Sequence, residues 1–237
     1  MTIAVVITTY NEEASIHALV RAFVAQQLPV IVVDDASTDC TVQRAYAAGA
    51  RLVFRTEGKW GIGPSLMHGW KLALDMPDVE SVLQIDAGGS HQPEDFPDMC
   101  EALVAHRADM VIGSRFCTGA HYLGVNGPWW RPWASKLAAM MCNYAQSGAH
   151  YTDWTSGYRL FTRDVLEYLL TKRMYGKMHG WQMEVLAHAG ARGFRIVEVP
   201  ITYIAAQSSF NRRVAHEAID IWLHILNHVG WVGVDAP

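Results

Sequence analysis

Three short apolar runs, each closed by polar or acidic residues, constrain what this chain can fold into. Ile3 to Thr8, Val30 to Val33 and Ser81 to Ile85 run into Thr9-Tyr10-Asn11-Glu12, Asp34-Asp35 and Asp86. The first two are continuous and β-branched, and all three read as short buried strands, as in a parallel sheet. Ile16, Leu19, Val20 and Phe23 recur at helical spacing between the first two runs. Arg51 to Phe54 and Asp109 to Gly113 add two further strands. Strand and helix therefore alternate. This predicts an α/β fold of βαβ crossovers, with a mostly parallel sheet flanked by helices.

In such sheets ligands gather at the carboxyl edge of the strands. Asp86 ends a strand and is followed by a glycine pair, a polar turn, and Pro93 with two acids opening a helix. Proline is pre-set for the first helical turn, and acids there suit the helix dipole. A turn residue at a strand end would look the same, so the other acids matter. Glu12, Asp34 and Asp35 recur at the same kind of position, and Arg115, Arg159, Arg212 and Arg213 come later. Strand-end carboxylates can hold a ribose hydroxyl, a base N–H or a divalent cation. Arginines take phosphate oxygens in bidentate fashion. Together they suit a nucleotide that carries a pyrophosphate.

Composition excludes several classes. The 237 residues, 51% of them hydrophobic, are enough for one large domain with a substantial core, and no repeat or linker divides them. A net charge of −4 gives no bulk attraction to nucleic acid or acidic lipid. The four cysteines are widely spaced without a CxxC pair, which fits free thiols in a reducing compartment. The start lacks the pattern of a signal peptide, and no stretch has the ~18 uncharged apolar residues of a membrane span. The expectation is a cytoplasmic protein, soluble or peripheral to a membrane, with no obligate protein partner. There is no GxxxxGK[ST], no GxGxxG after the first strand, no GxSxG and no HExxH.

The remaining segments bear on the ligand. Gly58, Gly61 and Gly63 lie in a glycine-rich loop, with a helix expected from Leu66 to Leu74. Residues 117–132 read as one loop, long enough to be functional, ending in Trp129-Trp130-Arg131-Pro132-Trp133. Such a cluster suits a packing plug, a stacking platform or a lipid-interface anchor. Ser135 to Ala145 is an expected helix, and Asp153 to Arg159 an expected compact turn rich in ligand-capable groups. Arg163 to Leu170 is another expected helix, and Gly180-Trp181 leads one more. Phe194 to Tyr203 holds two strand-like runs split by Pro200. Ala215 to Val234 reads as a helix with an apolar face that suits either core docking or a membrane surface.

Six of these segments resemble family 2 glycosyltransferases of the GT-A fold. They are Val5-Val-Ile-Thr-Thr-Tyr10-Asn11-Glu12, Val32-Val-Asp34-Asp35-Ala-Ser37-Thr38-Asp39 and Asp86-Ala-Gly-Gly-Ser-His91-Gln-Pro93-Glu94-Asp95. Gly113-Ser114-Arg115-Phe116, Asp153-Trp-Thr155-Ser156-Gly157-Tyr158-Arg159 and Gly193-Phe-Arg-Ile-Val-Glu198-Val-Pro200 look like the dolichyl- or polyprenyl-phosphate sugar transferase branch. The resemblance covers residues 3–212. It implies a single Rossmann-like GT-A domain. Residues 1–115 would form the nucleotide-sugar-binding half, 116–212 the acceptor half and 213–237 a C-terminal helix.

It also implies a UDP- or GDP-sugar donor and inverting transfer. Thr9, Tyr10, Glu12 and Asp35 would line base and ribose, with Asp34 behind them and Gly61 also on the donor side. Asp86 would be catalytic and would face the diphosphate and its metal. Arg115 and Arg159 would hold phosphate or acceptor groups. Asp153 would be an acid near the reacting centre, able to take a proton from a hydroxyl acceptor. Trp129, Trp130, Arg131, Trp181 and Arg212 would stand at the acceptor. The leading acceptor is polyprenyl phosphate. Alternatives are a hydroxymethylated pyrimidine in DNA, stacked on the tryptophan loop, and a non-catalytic sugar-nucleotide binder. One departure concerns the metal. The family has Asp-x-Asp, and here Gly88 replaces the second acid, which leaves binding of Mg²⁺ or Mn²⁺ in question.

Overall fold

The computed structural model describes residues 2–123, 131–146, 150–178, 180–205 and 212–229. Strands β1 (Ile3–Thr9), β2 (Val30–Asp34), β3 (Leu52–Arg55), β4 (Ser81–Asp86), β5 (Met110–Ser114), β7 (Arg159–Thr162) and β8 (Ile196–Pro200) form a seven-stranded sheet in the order β3-β2-β1-β4-β7-β5-β8. β6 (His121–Leu123) and β9 (Thr202–Ile204) form a separate parallel pair. All pairings in the main sheet are parallel except those of β7, which runs antiparallel to both β4 and β5.

Both faces of this sheet are covered, which is why β1, β2 and β5 read as unbroken apolar runs. Every residue of β1 is buried. Ala4 and Val6 join a core with α3 (Ile62–Leu74), α6 (Arg163–Leu170), α7 (Gly180–Arg192), α5 (Arg131–Ala145) and α8 (Arg212–His228). Ile3, Val5 and Ile7 face a second core with α1 (Ile16–Val24), α2 (Thr41–Ala47) and α4 (Phe96–Ala105). The two sets alternate because successive strand side chains point to opposite faces. A 3₁₀ turn, Pro93–Asp95, leads into α4 as the proline and the two acids imply.

Three expectations need correction. The turn expected at 153–159 ends in β7, a strand read as part of no sheet. At four residues, buried and followed at once by α6, it offers no alternation to read. The helix expected at Leu66 starts at Ile62, with Pro64 in its first turn. The expected loop 117–132 contains β6, and α5 already begins at Arg131 rather than Ser135. Trp129 and Trp130 lie outside the described residues, as do the positions past Val229 that the last helix was expected to include.

His188 on α7 gives the fold a pH dependence. Burial first, then Lys172 and His224, push its imidazole down to about 4. The unfolded chain therefore binds the extra proton below the ordinary histidine value of 6.5, and the folded chain does not until about 4. Stability falls as pH drops through that window. His188→Gln is expected to flatten the fall of Tm between pH 6.5 and 4.5 by about 2–4 °C, read by a thermal melt at each pH. An unchanged slope would remove His188 from the effect.

Candidate active site

The carboxyl ends of β1, β2, β4 and β5 bring Thr9, Asp34, Asp86 and Ser114 to one edge of the sheet. Because β7 is antiparallel, its first residue lies at that same edge. Arg159 pairs with Gln84 on one side and Ile112 on the other. Topology thus gathers the ends of four parallel strands, two of them acidic, and the start of a reversed one.

The loops after β1 and β2 are tied together. Ser37 Oγ accepts from the Asn11 N–H at 2.8 Å, Thr41 Oγ1 accepts from the Glu12 N–H at 2.9 Å, and Asn11 Oδ1 accepts from the Thr38 N–H at 2.8 Å. Asn11 has φ 55, a left-handed conformation that asparagine tolerates. Asp34 is fully buried and accepts from the Ser37 N–H at 2.9 Å, so it stands behind the loop. Thr9 is buried, with its hydroxyl unpartnered among the described residues. Tyr10 is exposed, and the Lys59 ammonium lies 3.4 Å from its ring centroid.

Asp35 holds the glycine-rich loop. Its carboxylate accepts from the N–H groups of Trp60 at 2.6 Å and Gly61 at 3.0 Å. Gly61 has φ 97, and a Cβ there would lie 2.7 Å from the Lys177 carbonyl oxygen. Only glycine fits this approach. Gly63 is as tightly placed, with its Cβ position 2.5 Å from Trp181 Cδ1. Trp181, expected at the acceptor, is instead fully buried against Trp70 at 4.9 Å between ring centroids. It is a core residue because α7 packs its first turn under α3.

The 153–159 turn is a second polar knot. Glu198 on β8 accepts from the N–H groups of Thr152 at 2.8 Å and Asp153 at 2.9 Å. The Asp153 carboxylate is fully buried and clamped by Arg115. It accepts from Arg115 Nε at 2.7 Å and Nη2 at 2.6 Å, and from the backbone N–H groups of Arg115 and Thr155 at 3.0 and 3.1 Å. Burial alone would raise the Asp153 pKa. The Arg115 guanidinium and these hydrogen bonds overcome it and hold the group below its ordinary value. The proton-accepting task expected of Asp153 thus meets a carboxylate whose oxygens are already engaged.

Arg159 is also fully buried. Its guanidinium donates to the carbonyls of Gln182 at 2.8 Å and Trp154 at 2.9 Å, bracing the turn against α7. Burial pushes its pKa down to about 9, which leaves it charged at neutral pH. Its placement is that of a brace, since no part of it reaches solvent. Arg131 and Arg212 open α5 and α8, and their side chains are outside the described residues.

Asp86 is open by contrast, its side chain 41% exposed. It is walled by Gly157, where a Cβ would stand only 2.3 Å from Asp86 Oδ2. The imidazole of His91 lies on another side, with Nδ1 3.8 Å from Asp86 Oδ2. Asp95, the next acid but one after Gly88, is committed elsewhere and accepts from the Thr202 N–H at 2.9 Å. Among the described residues, no three His, Cys, Asp or Glu side chains group closely enough to hold a metal ion. Sequence reading missed Gly157 and Glu198 as site-forming residues. Both stand within the resembling motifs, yet their work is to shape and orient neighbours, which spacing does not reveal.

The model of the family described as glycosyl transferase family 2 matches residues 4–170. The undecaprenyl-phosphate mannosyltransferase of Micrococcus luteus is 33% identical over 232 residues, covering 92% of this chain and 91% of that protein. The polyprenol monophosphomannose synthase of Mycolicibacterium smegmatis is 32% identical over 231 residues, covering 92% and 85%. The glucosyl-3-phosphoglycerate synthase of Mycobacterium tuberculosis, crystallised with Mn²⁺ and UDP-glucose, superposes with a TM-score of 0.73 at 20% identity, covering 95% of this chain and 79% of that one. The strand-edge acids, the sheet with its one reversed strand, and these matches agree: the chain belongs to glycosyl transferase family 2 and is a glycosyltransferase of the GT-A fold.

Proposed function

We propose that this enzyme transfers mannose from a UDP- or GDP-sugar to polyprenyl phosphate at a membrane surface, with inversion at the anomeric carbon. The observation that carries the reading is the closed pair of Asp153 and Arg115. A hydroxyl acceptor needs a free carboxylate to take its proton. A phosphate monoester near neutral pH is already largely ionised and needs none. Its oxygen attacks the anomeric carbon, the bond from that carbon to the donor diphosphate breaks, and the electron pair leaves with the diphosphate. Asp153 orients Arg115, which stands ready for the acceptor phosphate as a fixed cation. Thr9, Tyr10, Glu12 and the loop that Asp35 holds around Gly61 would receive the nucleotide. A divalent cation, when bound beside Asp86, would offset charge on the leaving diphosphate.

Two helices favour a lipid acceptor. On α5, Trp133, Leu137, Met140 and Tyr144 are exposed at helical spacing, and on α8 so are Ile219, Leu223 and Leu226. The helices pack together, with Trp222 Nε1 donating to the Met141 carbonyl at 3.0 Å. Apolar stripes on the outer faces of paired helices suit a membrane interface. Among the described residues no helix is long and apolar enough to cross one. The names of the two relatives reported above support the same acceptor. The DNA alternative rests on the tryptophan loop, whose Trp129 and Trp130 lie outside the described residues.

The test is product mass. Purified protein would meet GDP- and UDP-mannose, with a short polyprenyl phosphate or a duplex containing 5-hydroxymethylcytosine. A hexose-sized gain on the lipid is expected. A gain on the DNA alone would overturn the reading.

A further inference from the structure

Gly88 removes the second acid of the expected Asp-x-Asp, yet the space beside it is not apolar. A Cβ at Gly88 would stand 3.4 Å from Glu12 Oε1 and 4.0 Å from its Cδ. The Glu12 carboxylate, delivered by the loop after β1, therefore fills the direction in which a side chain at 88 would point. Ser15 Oγ donates to Glu12 Oε2 at 3.2 Å, and Thr41 Oγ1 fixes the Glu12 backbone at 2.9 Å. That leaves Oε1 as the oxygen turned toward Gly88. We propose that Glu12 supplies the second carboxylate of a divalent-cation site with Asp86, completed by the oxygens of the donor diphosphate. The proposal rests on the donor being a nucleoside diphosphate sugar.

Independent support comes from His91. It is 4% exposed, and neither ring nitrogen has a hydrogen-bond partner among the described residues. Nδ1 faces Asp86 Oδ2 at 3.8 Å, and the rings of Tyr158 and Tyr203 hold the imidazole at 5.4 and 5.3 Å. Metal-ligating carboxylates are themselves held by outer-shell polar groups, and the buried His91 ring stands in that place behind Asp86.

Chemistry also fits the small number of protein ligands. Mg²⁺ keeps several waters and is held by one or two carboxylates plus substrate phosphates rather than by a full protein cage. The site should therefore be weak alone and strong with nucleotide.

Mn²⁺ binding, followed by the loss of the free-ion electron paramagnetic resonance signal, tests this without turnover. The full chain would be titrated with Mn²⁺ alone, with UDP and with GDP. Nucleotide binding in EDTA would be measured separately by calorimetry. One of the nucleotides is expected to tighten Mn²⁺, and Glu12→Gln to weaken that affinity at least ~10-fold. Gly88 tolerates a Cβ, whose nearest neighbour is the movable end of Glu12. The double variant E12A/G88D should therefore regain most of the lost affinity. Nucleotide binding without any Mn²⁺ enhancement overturns the site alone, as does a Glu12→Gln affinity equal to that of the unaltered chain. Failure of the double variant to recover does the same. No binding of either nucleotide under any condition overturns the donor reading and the site together.

Discussion

Gly157→Ala is expected to lower turnover at least ~10²-fold, as much as Asp86→Ala, with the fold retained. The scale is that of losing one electrostatic group aimed at developing charge. The added methyl would lie 2.3 Å from Asp86 Oδ2 and 2.8 Å from its Cγ and Oδ1, so the two cannot coexist. The three nearest atoms all belong to that one side chain, which is 41% exposed and has room to swing outward. The methyl should therefore displace the carboxylate rather than break the core. Steady-state kinetics beside a thermal melt would separate the effects. A Gly157→Ala enzyme with near-normal kcat would show that the position of Asp86 is immaterial. A normal Asp86→Ala enzyme would remove the residue from the mechanism.

Asp153→Ala is expected to cost ~3–5 kcal/mol of stability and at least ~10²-fold in turnover. The Asp153 side chain is fully buried and that of Arg115 only 11% exposed, so truncation leaves an arginine charge nearly desolvated and unpaired. It also frees Arg115 from the geometry that two side-chain hydrogen bonds and a backbone N–H impose. Replacing both partners, as in D153L/R115M, should recover much of the stability and none of the turnover, because a buried pair adds little over apolar packing. That contrast separates structure from chemistry. Asp153→Asn offers a further check. If Asp153 only positions Arg115, kcat falls but the acid limb of the kcat–pH profile stays where it was. A shifted or lost limb would restore Asp153 as the proton acceptor.

Much of the architecture was legible because burial on both faces writes itself into composition. β1, β2 and β5 each appear as a continuous apolar run ending in a polar or acidic residue, and β4 as such a run interrupted by Gln84. β7 was not legible. Its direction and its place between β4 and β5 are set by pairings with residues far away in the chain, and four buried residues carry no period.

At the site, sequence determined which chemical groups are present: the strand-end acids, the glycines of the 58–63 loop and the arginines of the later motifs. Tertiary structure decided what each is free to do. Asp153 is closed by its hydrogen bonds with Arg115, Arg159 is spent on two carbonyls, and Trp181 is drawn into the core. Glu12 comes to stand beside Gly88 only because β1 and β4 are neighbours in the sheet. The reason is physical. Residue type fixes charge and hydrogen-bonding capacity locally, whereas burial and partners depend on which distant strands the fold sets side by side.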